Sequence, residues 1–98
     1  MVIETAQIEV KDHCAEAFES GVRAAREIFL AAEGCRSVAL WRSFEHPLRY
    51  TLVVEWETVE DHIVTFRQSP GFAAWRRLVQ DCFASPPRVE HQSIVSLS

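Results

Sequence analysis

The sequence predicts an α+β domain whose elements run in the order β-α-β-β-α-β. Three observations predict it. Short stretches alternate apolar and polar residues with the period of a strand. Longer stretches repeat apolar residues at spacings of three and four, the period of an amphipathic helix. The 98 residues suit a single domain, 1–98, with a thin core.

The first strand is expected from Ile3 to Val10, with Ala6, Ile8 and Val10 on one face and Thr5, Gln7 and Glu9 on the other. Asp12 fits a helix N-cap, and Glu16 adds negative charge where the helix dipole favours it. The helix should run from about Cys14 to Ala32, with Phe18, Val22, Ala25 and Phe29 as its stripe. Glu19 and Arg23 are spaced for an ion pair away from that stripe, and Gly34 is the expected stop.

Cys35 to Phe44 and Leu48 to Glu57 read as antiparallel strands joined by the turn Glu45-His46-Pro47. Val38, Leu40 and Phe44 face one way, and Ala39 and Trp41 the other. Tyr50, Leu52, Val54 and Trp56 alternate with Thr51, Val53, Glu55 and Glu57. Arg42 falls among apolar residues, so a carboxylate such as Glu55 or Glu57, or an interface, is its expected partner. Thr58-Val59-Glu60-Asp61 resembles a capping box, with Asp for the usual Glu, and opens a short helix to about Arg67. Ser69-Pro70 restarts a helix with the stripe Phe72, Trp75, Val79 and Cys82. After Pro86-Pro87, alternation at Val89, His91, Ser93, Val95 and Leu97 predicts a last strand. This order gives a ferredoxin-like layout with helices on one sheet face. The second face needs cover, and a two-fold homodimer closing two sheets into a barrel supplies it.

Composition excludes several functions. The net charge of -4, with no basic stripe, argues against nucleic acid. No apolar run approaches a membrane span, and Met1-Val2-Ile3-Glu4 lacks the blocks of a signal peptide. Three cysteines, odd in number and widely spaced, argue against a disulfide framework and for the cytoplasm. The four His and three Cys show no metal-ligand spacing, and three glycines build no dinucleotide loop. No metal, flavin or nicotinamide cofactor is expected.

Trp41-Arg42-Ser43-Phe44-Glu45-His46-Pro47 leads into the strand Arg49 to Trp56, then Glu57 to His62 and Phe66-Arg67-Gln68-Ser69-Pro70-Gly71-Phe72, with Pro86 to His91 near the end. This set resembles the antibiotic biosynthesis monooxygenase domain family of the dimeric α+β barrel superfamily. The resemblance spans nearly the whole chain. It implies a homodimer, a pocket between sheet and helices, and oxidation of aromatic or quinol-like compounds by O₂ without metal or flavin. Quinol-oxidising members often carry His where Phe66 and Gly71 stand here. Haem-degrading members use Asn, Trp and a ligating His where Ala6, Phe66 and Arg76 stand, so haem degradation is not expected.

Within that family the candidate base is His62, placed to take a proton from a phenolic substrate. Arg76 is the candidate stabiliser of an enolate or phenolate. Phe66, Trp75 and Trp41 are the candidate walls for a small aromatic molecule. Each has a plainer reading: a helical histidine without a task, a solvated arginine pair, and core packing. His91 is expected at the dimer interface. A non-catalytic small-molecule-binding or stress-related homodimer of the same fold stands as the alternative function.

Overall fold

The computed structural model describes residues 1–98. Strands β1 (Val2–Glu9), β2 (Cys35–Arg42), β3 (Arg49–Trp56) and β4 (Arg88–Gln92) form one antiparallel sheet in the order β2-β3-β1-β4. Helices α1 (Ala15–Leu30) and α2 (Pro70–Val79) pack together and cover one sheet face. This is the ferredoxin-like order that the periodicities predict.

Alternation decides which side chains meet the helices. Ala6, Ile8 and Val10 point inward beside Tyr50, Leu52, Val54 and Trp56, all buried. Against them α1 lays Phe18, Val22, Ala25 and Phe29, and α2 lays Trp75 and Val79. Glu4 sits on this same inward face and is buried. Gly21 lets the helices approach closely, since a Cβ there would lie 2.8 Å from the Leu78 carbonyl oxygen.

Local signals set the element ends. Ser69 caps α2, its hydroxyl accepting from the Phe72 N–H at 3.3 Å, with Pro70 following. The capping box closes both ways: the Asp61 N–H donates to Thr58 Oγ1, and the Thr58 N–H donates to Asp61 Oδ2. The turn it opens, Asp61–Phe66, is wound as a π-helix. His62 and Phe66 are both buried there, while Ile63, Val64 and Thr65 face out. Such wide turns are rare and often sit at functional sites.

Gly34 adopts φ +81°, and a Cβ on it would overlap the Asp61 carboxylate. Gly34→Ala is therefore expected to cost about 1–3 kcal/mol, read as a lower urea midpoint. An unchanged midpoint would show that this turn relaxes freely.

Four expectations are corrected. Asp12 does not cap α1: His13 takes φ 67°, and the cap is Cys14, without a side-chain hydrogen bond. Strand β2 ends at Arg42, because Ser43 closes the ladder on Arg49 and the chain turns, leaving Phe44 96% exposed. Arg42 pairs with Glu19 on α1, at 3.2 Å, and lies over the Tyr50 ring, while Glu55 and Glu57 serve Ser37 and Arg36. Strand β4 stops at Gln92, paired with Ile3 near the start of β1, so the apolar alternation onward to Leu97 finds little strand left to pair with.

Candidate active site

A cleft of about 400 Å³ opens between the sheet and the two helical segments beyond β3. Phe29, Phe66, Phe72, Trp75 and Phe83 form its apolar walls, with Pro86 and Pro87 beside them. Four polar side chains reach it: Glu4, His62, Arg67 and Arg76. They arrive from three elements. Glu4 comes from the inward face of β1, His62 and Arg67 from the π-helical turn and its end, and Arg76 from α2 beside Trp75.

Glu4, Trp56, His62 and His91 form one connected cluster. Trp56 Nε1–H donates to Glu4 Oε1 at 2.9 Å. His62 Nε2 stands 3.4 Å from the same oxygen, a contact longer than a good hydrogen bond. His62 Nδ1 meets His91 Nε2 at 2.8 Å, so one imidazole donates and the other accepts. The His62 ring stacks on Trp56, with centroids 5.4 Å apart and planes 15° from parallel. His91 arrives because β4 pairs with β1 and sets it directly opposite Glu4.

Burial governs the protonation of this cluster. It pushes the Glu4 carboxyl above its ordinary range, against the opposing pull of the Trp56 hydrogen bond and the Arg67 charge. It pulls His62 down from 6.5 to about 4, helped by the positive charge of Arg67 and by His91. His91 shifts down for the same main reason. Both members of the Glu4–His62 contact are thus driven toward their neutral forms, and the contact is not a fixed ion pair.

Arg76 supplies the opposite chemistry. Its Nε is fully buried and has no hydrogen-bond partner. Its guanidinium lies over the Phe83 ring, 5.4 Å from the centroid. A buried donor left unpaired is disfavoured by about 1–3 kcal/mol. No three His, Cys, Asp or Glu side chains converge as a metal site would require.

The structure therefore brings His62, Phe66, Trp75 and Arg76 to one cleft. Trp41 does not join them. It lies on the opposite sheet face, 61% exposed, beside Thr5, Gln7 and Thr51. Trp41 pairs with Thr51, and alternation sends both away from Leu40 and Leu52. Sequence reasoning missed Glu4 and placed His91 only at an interface. The signal for Glu4 was its spacing of two from Ala6 on a strand whose even positions face inward. Two larger hollows lie elsewhere. In the one between α1 and β2, of about 510 Å³, Glu19 is already bonded by Arg23, Arg42 and Tyr50. The other, of about 590 Å³, is open sheet face.

A sequence model of the antibiotic biosynthesis monooxygenase family matches residues 1–78, which include Glu4, His62, Phe66, Trp75 and Arg76. The chain belongs to this family. A solved structure from Bordetella bronchiseptica that bears the antibiotic biosynthesis monooxygenase name is 53% identical, covers 97% of each chain and superposes with a TM-score of 0.96. Another of that name, from Nitrosomonas europaea, is 22% identical, covers 98% of this chain and 100% of its own, and superposes at 0.83, a likeness of fold alone. The uncharacterized protein YczJ of Bacillus subtilis is 35% identical over 91 residues, 93% of this chain and 96% of YczJ. Family and neighbours together support a monooxygenase-like function for this antibiotic biosynthesis monooxygenase family member.

Proposed function

We propose that this family member is a cofactor-independent monooxygenase that oxidises a small reduced aromatic or quinol-like compound with O₂. One observation carries the reading. A pair of buried proton-exchanging groups, Glu4 and His62, shares an aromatic-walled cleft with the cationic side chain of Arg76.

The chemistry follows from these groups. Taking a proton from a phenol, or from the enol form of an anthrone-like ketone, leaves an electron-rich anion. Arg76, whose side chain reaches the same cleft, offsets that charge. The anion passes an electron to O₂, and the resulting radical and superoxide combine as a peroxide. Cleavage of the O–O bond, with loss of the C–H proton at the same carbon, leaves one oxygen on the substrate as a new carbonyl and releases the other as water. The balance is a CH₂ and O₂ giving C=O and H₂O. Phe66 and Trp75 hold the ring by stacking and edge contacts.

We further place the working molecule as a cytoplasmic homodimer. The uncovered sheet face presents Trp41, and Ile94, Val95 and Leu97 stand 74–96% exposed after β4, which suits burial against a second copy. Three free cysteines suit a reducing compartment. The binding-only alternative draws on a different observation: positions 66 and 71 hold Phe and Gly, so the π-helical turn and α2 bring no imidazole there.

The test is O₂ consumption by the purified dimer, metal-depleted and without added cofactor, across hydroquinones and anthrones. Uptake well above the spontaneous rate is expected. Tight binding of these compounds with uptake no faster than the spontaneous rate would favour the binding-only alternative.

A further inference from the structure

We infer that Glu4, rather than His62, takes the proton from the substrate, and that His62 and His91 are positioning residues behind it. This rests on the monooxygenase reading above.

The geometry leaves Glu4 one free oxygen in the cleft. Oε1 accepts from Trp56 at 2.9 Å and faces His62 at 3.4 Å, while Oε2 has no partner within the protein. His62 is held on both sides. Its Nδ1 is bonded to His91 at 2.8 Å, its ring is stacked on Trp56, and its Nε2 points at the carboxylate. If the His91 Nε2–H donates to His62 Nδ1, the His62 proton must sit on Nε2, facing Glu4. Trp56 and His62 then fix the carboxylate from one side and leave Oε2 for a substrate hydroxyl. This is how second-layer partners orient a reacting group.

Burial selects the same acceptor. A carboxylate that gains a proton becomes neutral, which burial favours. An imidazole that gains one becomes a buried cation beside Arg67, which the site opposes. The directions for the two groups agree: Glu4 is raised, and His62 is lowered to about 4. The groups that bear on Glu4 are His62 and Arg67 at the π-helical turn, His91 on β4 and Cys35 on β2, with Arg76 of α2 in the same cleft. α1 faces the cleft only with Phe29.

The step balances. The substrate O–H bond breaks, its electron pair stays on the substrate oxygen, and the proton bonds to Glu4 Oε2. When the O–O bond of the later peroxide breaks, the C–H bond at the same carbon breaks with it. Its electron pair forms the carbonyl, its proton goes to the departing oxygen to give hydroxide, and Glu4 returns the first proton to that hydroxide, which leaves as water. O₂ is the only oxidant required, and Glu4 ends as it began.

The experiment compares Glu4→Gln, Glu4→Asp and His62→Gln for kcat and for the pH profile of kcat/KM, with urea midpoints confirming the fold. Glu4→Gln is expected to lose about 100-fold or more in kcat and to lose the acid limb. Glu4→Asp should keep part of the rate. His62→Gln should stay within about tenfold and keep the limb, since its amide still reaches toward the carboxylate. A Glu4→Gln enzyme with at least half the turnover and its limb intact would overturn the assignment while leaving the monooxygenase reading in place. If wild type shows no turnover, that reading fails, and ¹³C NMR of the Glu4 carboxyl decides the inference separately. A titration midpoint above the ordinary carboxylate range that responds to added 4-nitrophenol would sustain Glu4 as the proton acceptor. An ordinary midpoint unmoved by 4-nitrophenol would refute it.

Discussion

Replacing Trp56 by alanine is expected to destabilise the protein by about 3–5 kcal/mol, among the largest effects of any single change. The side chain has no exposed surface. It packs against Phe66 and His62, so its loss leaves a cavity between β3 and the π-helical turn. It is also the hydrogen-bond donor to Glu4 Oε1. Trp56→Phe separates the two roles. The ring volume is mostly kept, the N–H is gone, and a buried carboxyl oxygen loses its donor, at about 1–3 kcal/mol. That variant should also raise the Glu4 carboxyl further, because the Trp56 bond holds it down. Urea unfolding gives the stabilities, and ¹³C NMR of Glu4 gives the titration. A phenylalanine variant as stable as wild type, with an unmoved Glu4, would show that the indole N–H matters to neither.

Acid should weaken the fold well above the range in which ordinary carboxylates titrate. His62 is lowered from 6.5 to about 4 in the folded protein. Between those values the unfolded chain binds the extra proton and the folded one does not, so stability falls as pH drops through this window. At about 1.4 kcal/mol per unit the full effect is at most about 3.5 kcal/mol. His91 is shifted in the same direction and adds to it. Glu4 works against both. Its folded value lies above the unfolded one, so its contribution is full at low pH and is lost as pH rises through the folded value. Two variants separate these effects. His62→Gln should flatten the loss of stability between pH 6.5 and 4, and Glu4→Gln should steepen it. Urea midpoints across that range provide the readout. Identical slopes in wild type and His62→Gln would mean that His62 is not buried as a neutral ring.

Much of this fold was legible because strand and helix periods are local. Phe18, Val22, Ala25 and Phe29 fell on one stripe, and all four are buried. The Thr58 and Ser69 caps formed as their side chains suggest. What depended on pairing between distant segments was not legible. Alternation placed His91 on a strand, but only the β1–β4 register brings it opposite Glu4 and within reach of His62. Arg42 was visibly out of place among apolar neighbours, yet its partner, Glu19, sits on α1. Alternation sets Trp41 on the face opposite Leu40 without saying which face meets the helices, so its place as a cleft wall depends on a direction that only the sheet packing fixes. A side chain on one face of a sheet cannot line a cleft on the other. Glu4 was the plainest missed signal, an acid two residues from Ala6 on an inward-facing strand face, where charge is disfavoured unless it has partners or a task.

The most direct test of the central claim is the fate of the oxygen atoms. The metal-depleted protein would be supplied with ¹⁸O₂ and whichever hydroquinone or anthrone supports uptake, and the product analysed by mass spectrometry. The account predicts one ¹⁸O atom per product molecule, with the other in water and no accumulated hydrogen peroxide. Unlabelled product accompanied by stoichiometric hydrogen peroxide would contradict it, since the protein would then be passing electrons to O₂ without inserting oxygen.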